Sequence, residues 1–147
     1  MATIKSVQGT RTSLLTLSTL ASATYITSSA YNCTTTGPLD VVIECEVTPG
    51  NAVAGNKQIV VFVKASLDGT NFQSGPESGT TTTDEPDLSF VGSVPVNTNS
   101  GAQRKMFSIG QALGFIPQQF KIVVKNDSGQ AIASGTIYTA EISGTVA

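Results

Sequence analysis

The chain has no histidine and no tryptophan, only two cysteines, and 12% charged residues among its 147 positions. Each shortage removes a class of function. Without histidine a Ser-His-Asp triad cannot be assembled, and no lysine stands three residues after a serine to replace the base. Two thiols without an imidazole fall short of the four ligands a zinc centre takes. Eight basic residues against ten acidic ones leave a net charge of −2, and Arg104–Lys105 is the only adjacent basic pair. Nothing there favours neutralising nucleic-acid phosphates. No apolar run approaches the roughly 20 residues that cross a bilayer as a helix.

The carboxylates that could act in pairs are Glu44/Glu46 and Asp84/Glu85/Asp87, read as an exposed strand face and an acidic loop. Asp68-Gly69-Thr70-Asn71 carries oxygen ligands but lacks the spacing and the closing glutamate of a calcium loop, so it reads as a tight turn. With tryptophan absent, a carbohydrate platform would fall to Tyr25, Tyr31 and Tyr138. The expectation is a protein without catalytic residues, cofactor or metal.

What is abundant is hydroxyl: 20 threonines and 16 serines, about a quarter of the chain. Threonine's branched side chain packs well on a pleated surface. Period-two alternation recurs between Gly, Pro and Asn punctuation. It predicts strands over Ser13–Leu20, Ala23–Ser29, Leu39–Thr48, Gln58–Leu67, Leu88–Val96, Gln103–Ile109, Gln119–Asn126 and Gly135–Ser143. Eight short strands point to an all-β fold, a two-sheet antiparallel β-sandwich or jelly roll. A helix of one or two turns fits only Ser108–Gly114, ended by Gly114 and blocked by Pro117.

Residues 1–12 lack sustained alternation and read as an extended N-terminal arm before one domain at 13–147. Lys5 and Arg11, Leu14–Leu20 and Ala21-Ser22-Ala23 imitate a secretory signal, but Thr16, Ser18 and Thr19 break its apolar core. The reading is therefore a polar arm running into a strand. Ile4, Val7, Arg11 and Leu14 are its candidate partner-binding residues, either adding a strand to a partner or folding back on their own domain. Asp68–Asp87 is long for a loop in a compact sandwich. A solvated hairpin tip is its plainer reading; as a contact loop it would act through Thr82, Asp84 and Glu85. Alternation over Val41–Val47 puts Cys45 on a core face, and a Cys33–Cys45 disulfide stays open as an alternative.

One stretch carries a resemblance. Lys64-Ala65-Ser66-Leu67-Asp68-Gly69-Thr70-Asn71-Phe72 is followed by Leu88-Ser89-Phe90-Val91-Gly92-Ser93-Val94-Pro95-Val96. Then come Phe107-Ser108-Ile109, Ala112-Leu113-Gly114, Pro117, and Phe120-Lys121-Ile122-Val123-Val124-Lys125-Asn126-Asp127-Ser128-Gly129. In this order the C-terminal half resembles small β-rich virion structural proteins of tailed bacteriophages, most of all head decoration (cement) proteins. The resemblance implies a non-enzymatic protein on the capsid exterior, made in the host cytoplasm. Its partners would be the major capsid protein and copies of itself, without direct nucleic-acid or membrane contact. A tail or baseplate component, a host-surface glycan-binding module and a secreted adhesin with an oxidised cysteine pair are the rival readings.

Overall fold

The computed structural model describes residues 3–51, 55, 57–96 and 101–146. Met1 and Ala2 of the arm, and Ala147 at the end of the expected domain, lie outside the described residues. Among the described residues, two five-stranded antiparallel sheets pack face to face as a β-sandwich of ten strands. The first sheet contains β1 (Ile4–Gln8), β2 (Thr12–Thr16), β5 (Asp40–Pro49), β8 (Gln103–Ser108) and β10 (Ile132–Val146). The second contains β3 (Tyr25–Thr27), β4 (Tyr31–Asn32), β6 (Gln58–Ser66), β7 (Ser89–Pro95) and β9 (Gln119–Asp127).

All eight expected strands are present, with shifted ends. β10 is the most extended, 15 residues long, and this lets it serve two neighbours in tandem. Its Thr136–Thr139 stretch pairs with β2 and its Ile142–Val146 stretch pairs with β1. β9 likewise pairs with β3 at one end and β4 at the other. The two strands beyond the expected eight, β1 and β4, are short pieces at these edges. The arm is extended, and it folds back on its own domain through β1.

Alternation on β5 buries Val41, Ile43, Cys45, Val47 and Pro49 and leaves the residues between them half-exposed. These side chains meet Ile59, Val61 and Val63 of β6 and Phe120, Ile122 and Val124 of β9 in the central core. β7 and β8 join the sheets along one side, where Phe107 lies across Gly92 so closely that a side chain on Gly92 would have no room. α1 (Ile109–Leu113) starts where the Ser108 hydroxyl accepts from the Gln111 N–H, and Gly114 ends it in the left-handed conformation at φ 80°.

The second sheet is buried on its inner face and partly buried on its outer one, where Phe90 stays 60% exposed. Tyr25, Val60, Phe62, Val123 and Leu88 form a second apolar cluster outside the central core. The 68–87 segment lies over this outer face. Tyr25 bridges to Gly79 and Ser66 to Phe72, so the segment is strapped to the sheet rather than standing off as a hairpin tip. Two latches hold it. Lys64, only 5% exposed, donates to Glu77 at 2.8 Å and to the Gly75 carbonyl at 3.2 Å. Glu85 accepts from Lys125 at 2.8 Å and from the Tyr25 hydroxyl.

Candidate interaction surface

The two groups of expected contact residues sit on different sheets. Ile4 and Val7 are exposed on β1, on opposite faces of the strand. Arg11 is committed to its own sheet: its Nε donates to Glu44 at 3.1 Å, Glu46 lies at 3.5 Å, and its guanidinium sits 3.2 Å over the Tyr138 ring. Leu14 is half-buried against the central core. In the strap, Thr82 and Asp84 are exposed around a 3-10 turn at Glu85–Asp87, the Thr82 carbonyl accepting the Glu85 N–H. Glu85 is held by Tyr25 and Lys125. No single site unites these seven residues.

A different set of side chains does come together. β5 follows β10 only as far as Ile142, so Ser143–Val146 have β1 as their sole strand partner among the described residues. On this two-stranded ribbon Ile4 stands directly opposite Val146. Gly144 leaves a notch between them and Leu39: a methyl group there would lie 3.4 Å from both Ile4 Cγ2 and Leu39 Cδ1. Leu39 is held in place by its N–H, which donates to the Ile142 carbonyl at 2.8 Å.

Leu39 and Phe115 flank one shallow groove, and Phe115 and Leu67 flank the next. Asp40 sets this geometry. Its carboxylate accepts from the Ser108 hydroxyl at 2.5 Å and the Gly110 N–H at 2.9 Å, tying the start of α1 to β5. Phe115 then leaves the αL residue Gly114 pointing outward. The result is a band of exposed apolar side chains across one end of the sandwich, Val146, Ile4, Leu39, Phe115 and Leu67, broken by Asp40, Ser108 and Gln111 in the groove between Leu39 and Phe115. Leu39 is 61% exposed, Ile4 73%, Val146 75% and Leu67 78%. Scattered exposed leucines need no explanation, but a series linked by grooves makes this end the candidate interaction surface. Only Ile4 of this series was legible as a contact residue; the others come from four separate places in the chain, and each alone looks like an ordinary strand or turn residue.

The side chains weighed as glycan or cation ligands make internal contacts. Tyr25 is buried, Tyr31 stacks on Phe120 with ring centroids 5.1 Å apart, and Tyr138 lies under Arg11, so every tyrosine ring is engaged. The Asp68 carboxylate accepts the N–H groups of Asn71 at 2.7 Å and Thr70 at 2.8 Å, which is the tight turn expected there. These bonds, Asn71's first, hold Asp68 well below the usual carboxylate range. Among the described residues no group of three His, Cys, Asp or Glu side chains could hold a metal ion. No helix among them is long and apolar enough to cross a membrane.

Cys33 and Cys45 are free and buried. Burial, with a smaller contribution from Glu141, pushes the Cys33 thiol up to about 11. Burial, with Glu44 adding to it, pushes Cys45 up to about 12. In the folded protein at pH 8 neither is expected to react with a maleimide on the time scale of minutes, whereas both react at once in denaturant. Titration of free thiols with and without guanidinium checks this; rapid labelling of the native protein would show that these positions open.

No protein-family model matches this chain, and no curated protein matches it either.

Proposed function

We propose that this chain is a non-enzymatic virion structural protein that binds the exterior of a bacteriophage capsid and clamps neighbouring subunits. The observation that supports this reading is the apolar band across the end of the sandwich, built from Val146, Ile4, Leu39, Phe115 and Leu67. Its partners are the major capsid protein and other copies of the chain. Burying what remains exposed of five such side chains is worth about 5–10 kcal/mol. Immobilising one copy costs about 4–15 kcal/mol. One band therefore attaches weakly, and stable cementing needs more than one attachment per unit.

Charge fits a protein partner better than a nucleic acid. Arg11, Arg104, Lys64, Lys121 and Lys125 all lie within ion-pair distance of carboxylates of the same chain. Few cations are left to release counterions from phosphate.

The test is cryo-electron microscopy of particles made with and without the chain. The expected difference map shows regular density over the capsid exterior. The double substitution Leu67→Glu/Phe115→Glu is expected to lower that occupancy at least about tenfold while leaving the melting temperature nearly unchanged, since both side chains face solvent. Density confined to the tail, or full occupancy by the variant, would refute the reading.

A further inference from the structure

We propose that β1 is a self-pairing edge, through which two copies of this chain join antiparallel about Ser6 into one continuous sheet. The pairing is a property of the free protein and stands whether or not the apolar band binds a capsid.

The backbone groups of β1 are directed for such a pairing. The Gly9 N–H donates to the Glu141 carbonyl at 2.7 Å. Alternation along an antiparallel ladder then turns Lys5 and Val7 toward β10, and points the N–H and C=O of Ile4, Ser6 and Gln8 to the open side. Among the described residues β1 has β10 as its only partner. Beyond Ile142 these two strands form a ribbon without a third strand, and such a pair is marginal in water. A second copy turns it into the middle of a four-stranded section.

The other edges are defended. β8 carries Arg104 and Lys105, which would meet their own kind. The β6–β7 pairing has a register shift at Val61/Phe62, and β7 ends on Pro95, which lacks an N–H. β2 is bent by a register shift at Ile137/Tyr138 of β10. β3 and β4 have three and two residues. β1 alone presents five regular residues with a single charge.

Charge register favours the antiparallel arrangement. Pairing about Ser6 sets Lys5 beside Val7 of the second copy and Ile4 beside Gln8 of the second copy, so no two lysines face each other. A parallel arrangement would stack Lys5 on Lys5, which is unfavourable. Ser6 itself has room, because its neighbour on β10 is Gly144. A two-fold axis through this pair stands perpendicular to the sheet and keeps the Ile4–Val146 patches of both copies on one face. The dimer then carries two apolar bands, side by side.

The test is light scattering of the purified full chain at about 100 µM, a concentration that fills an interface of micromolar Kd. The expected mass is twice that of the chain. Ser6→Cys is expected to give a disulfide-linked dimer on mild oxidation, since paired strands bring their Cα atoms within bridging range. Gln8→Cys is expected to give none, because that residue meets Ile4 of the second copy. Ser6→Glu sets two carboxylates face to face without touching the backbone and is expected to yield a folded monomer. A monomeric parent protein overturns the proposal, and so does a dimer that Ser6→Glu leaves intact or that Gln8→Cys links as readily as Ser6→Cys.

Discussion

Asn126→Ala is expected to lower stability by about 2–4 kcal/mol and the melting temperature by about 10 °C. Asn126 is fully buried near the end of β9 and ties together two connections far apart in sequence. Its amide nitrogen donates to the Leu20 carbonyl at 2.9 Å and the Gln130 carbonyl at 2.8 Å. Its amide oxygen accepts the Ser128 N–H at 3.0 Å. Alanine deprives the buried Ser128 N–H of its partner, at a cost of about 1–3 kcal/mol. It also removes one of two donors to the Leu20 carbonyl, which keeps the Ile132 N–H at 3.1 Å, while the Gln130 carbonyl keeps the Ser128 hydroxyl at 2.8 Å. The backbone nearby adds to the demand. Thr19 and Ala23 both hold left-handed conformations, at φ 67° and φ 60°, where a side chain is strained. The Ala23 N–H is held by the Asn126 carbonyl at 2.7 Å. Asn126→Asp, nearly identical in shape, is expected to be as damaging, because it presents a carboxylate to two carbonyl oxygens. Chemical denaturation of the three proteins measures this; a loss below about 1 kcal/mol for alanine would show that the hub is not what holds the β2–β3 connection.

Glu77→Ala is expected to cost about 2 kcal/mol, and more than Lys64→Met at the other end of the same ion pair. The asymmetry follows from burial. Lys64 is almost wholly enclosed by the strap, with side-chain exposure of 6%, whereas Glu77 is 48% exposed. Removing the carboxylate strands an ammonium in the second apolar layer; removing the ammonium leaves a carboxylate that water still reaches. Register worsens the first case, since Lys64 stands directly opposite Lys121 and Glu77 serves both, at 2.8 Å and 3.6 Å. A fully buried pair broken this way costs about 3–5 kcal/mol, and the exposure of Glu77 reduces the figure here. The double variant Lys64→Met/Glu77→Ala is expected to recover most of the loss.

The same pair gives a pH dependence. The hydrogen bond from Lys64, against some burial and with help from Lys121, holds Glu77 below its ordinary value of 4.5. A folded-state value below the unfolded one contributes stability above the unfolded value, and that contribution is lost as pH falls through the lowered one. The parent protein is therefore expected to lose part of the strap's hold below about pH 4.5, with a shallower loss in the double variant. Equal costs for the two single substitutions, or identical acid profiles, would refute the latch.

The eight main strands were legible because alternation is a local signal. On β5 every second residue from Val41 to Pro49 is buried. The turns were legible for a similar reason: Asp68-Gly69 and Ser108…Gly114 do their capping and turning with neighbouring backbone groups. β1 and β4 were not, because short edge strands are defined by the strand they lie against, and Ile4–Gln8 is exposed throughout. The second apolar layer left a trace in Val60 and Phe62, apolar on the face of β6 away from the core. Nothing local to Pro76 or Thr80 told that the 68–87 segment would cover them.

By itself the sequence determined a β-sandwich that lacks histidine and tryptophan, because alternation and turn residues act at short range and a missing residue type is a simple absence. Tertiary structure alone decided what the surface offers. It consumed Arg11, Leu14 and Glu85 in internal contacts, and it drew Leu39, Leu67, Phe115 and Val146 to the end where Ile4 already stood. The physical reason is that a surface is made of residues distant in the chain, and whether a side chain is free depends on which neighbours the fold gives it.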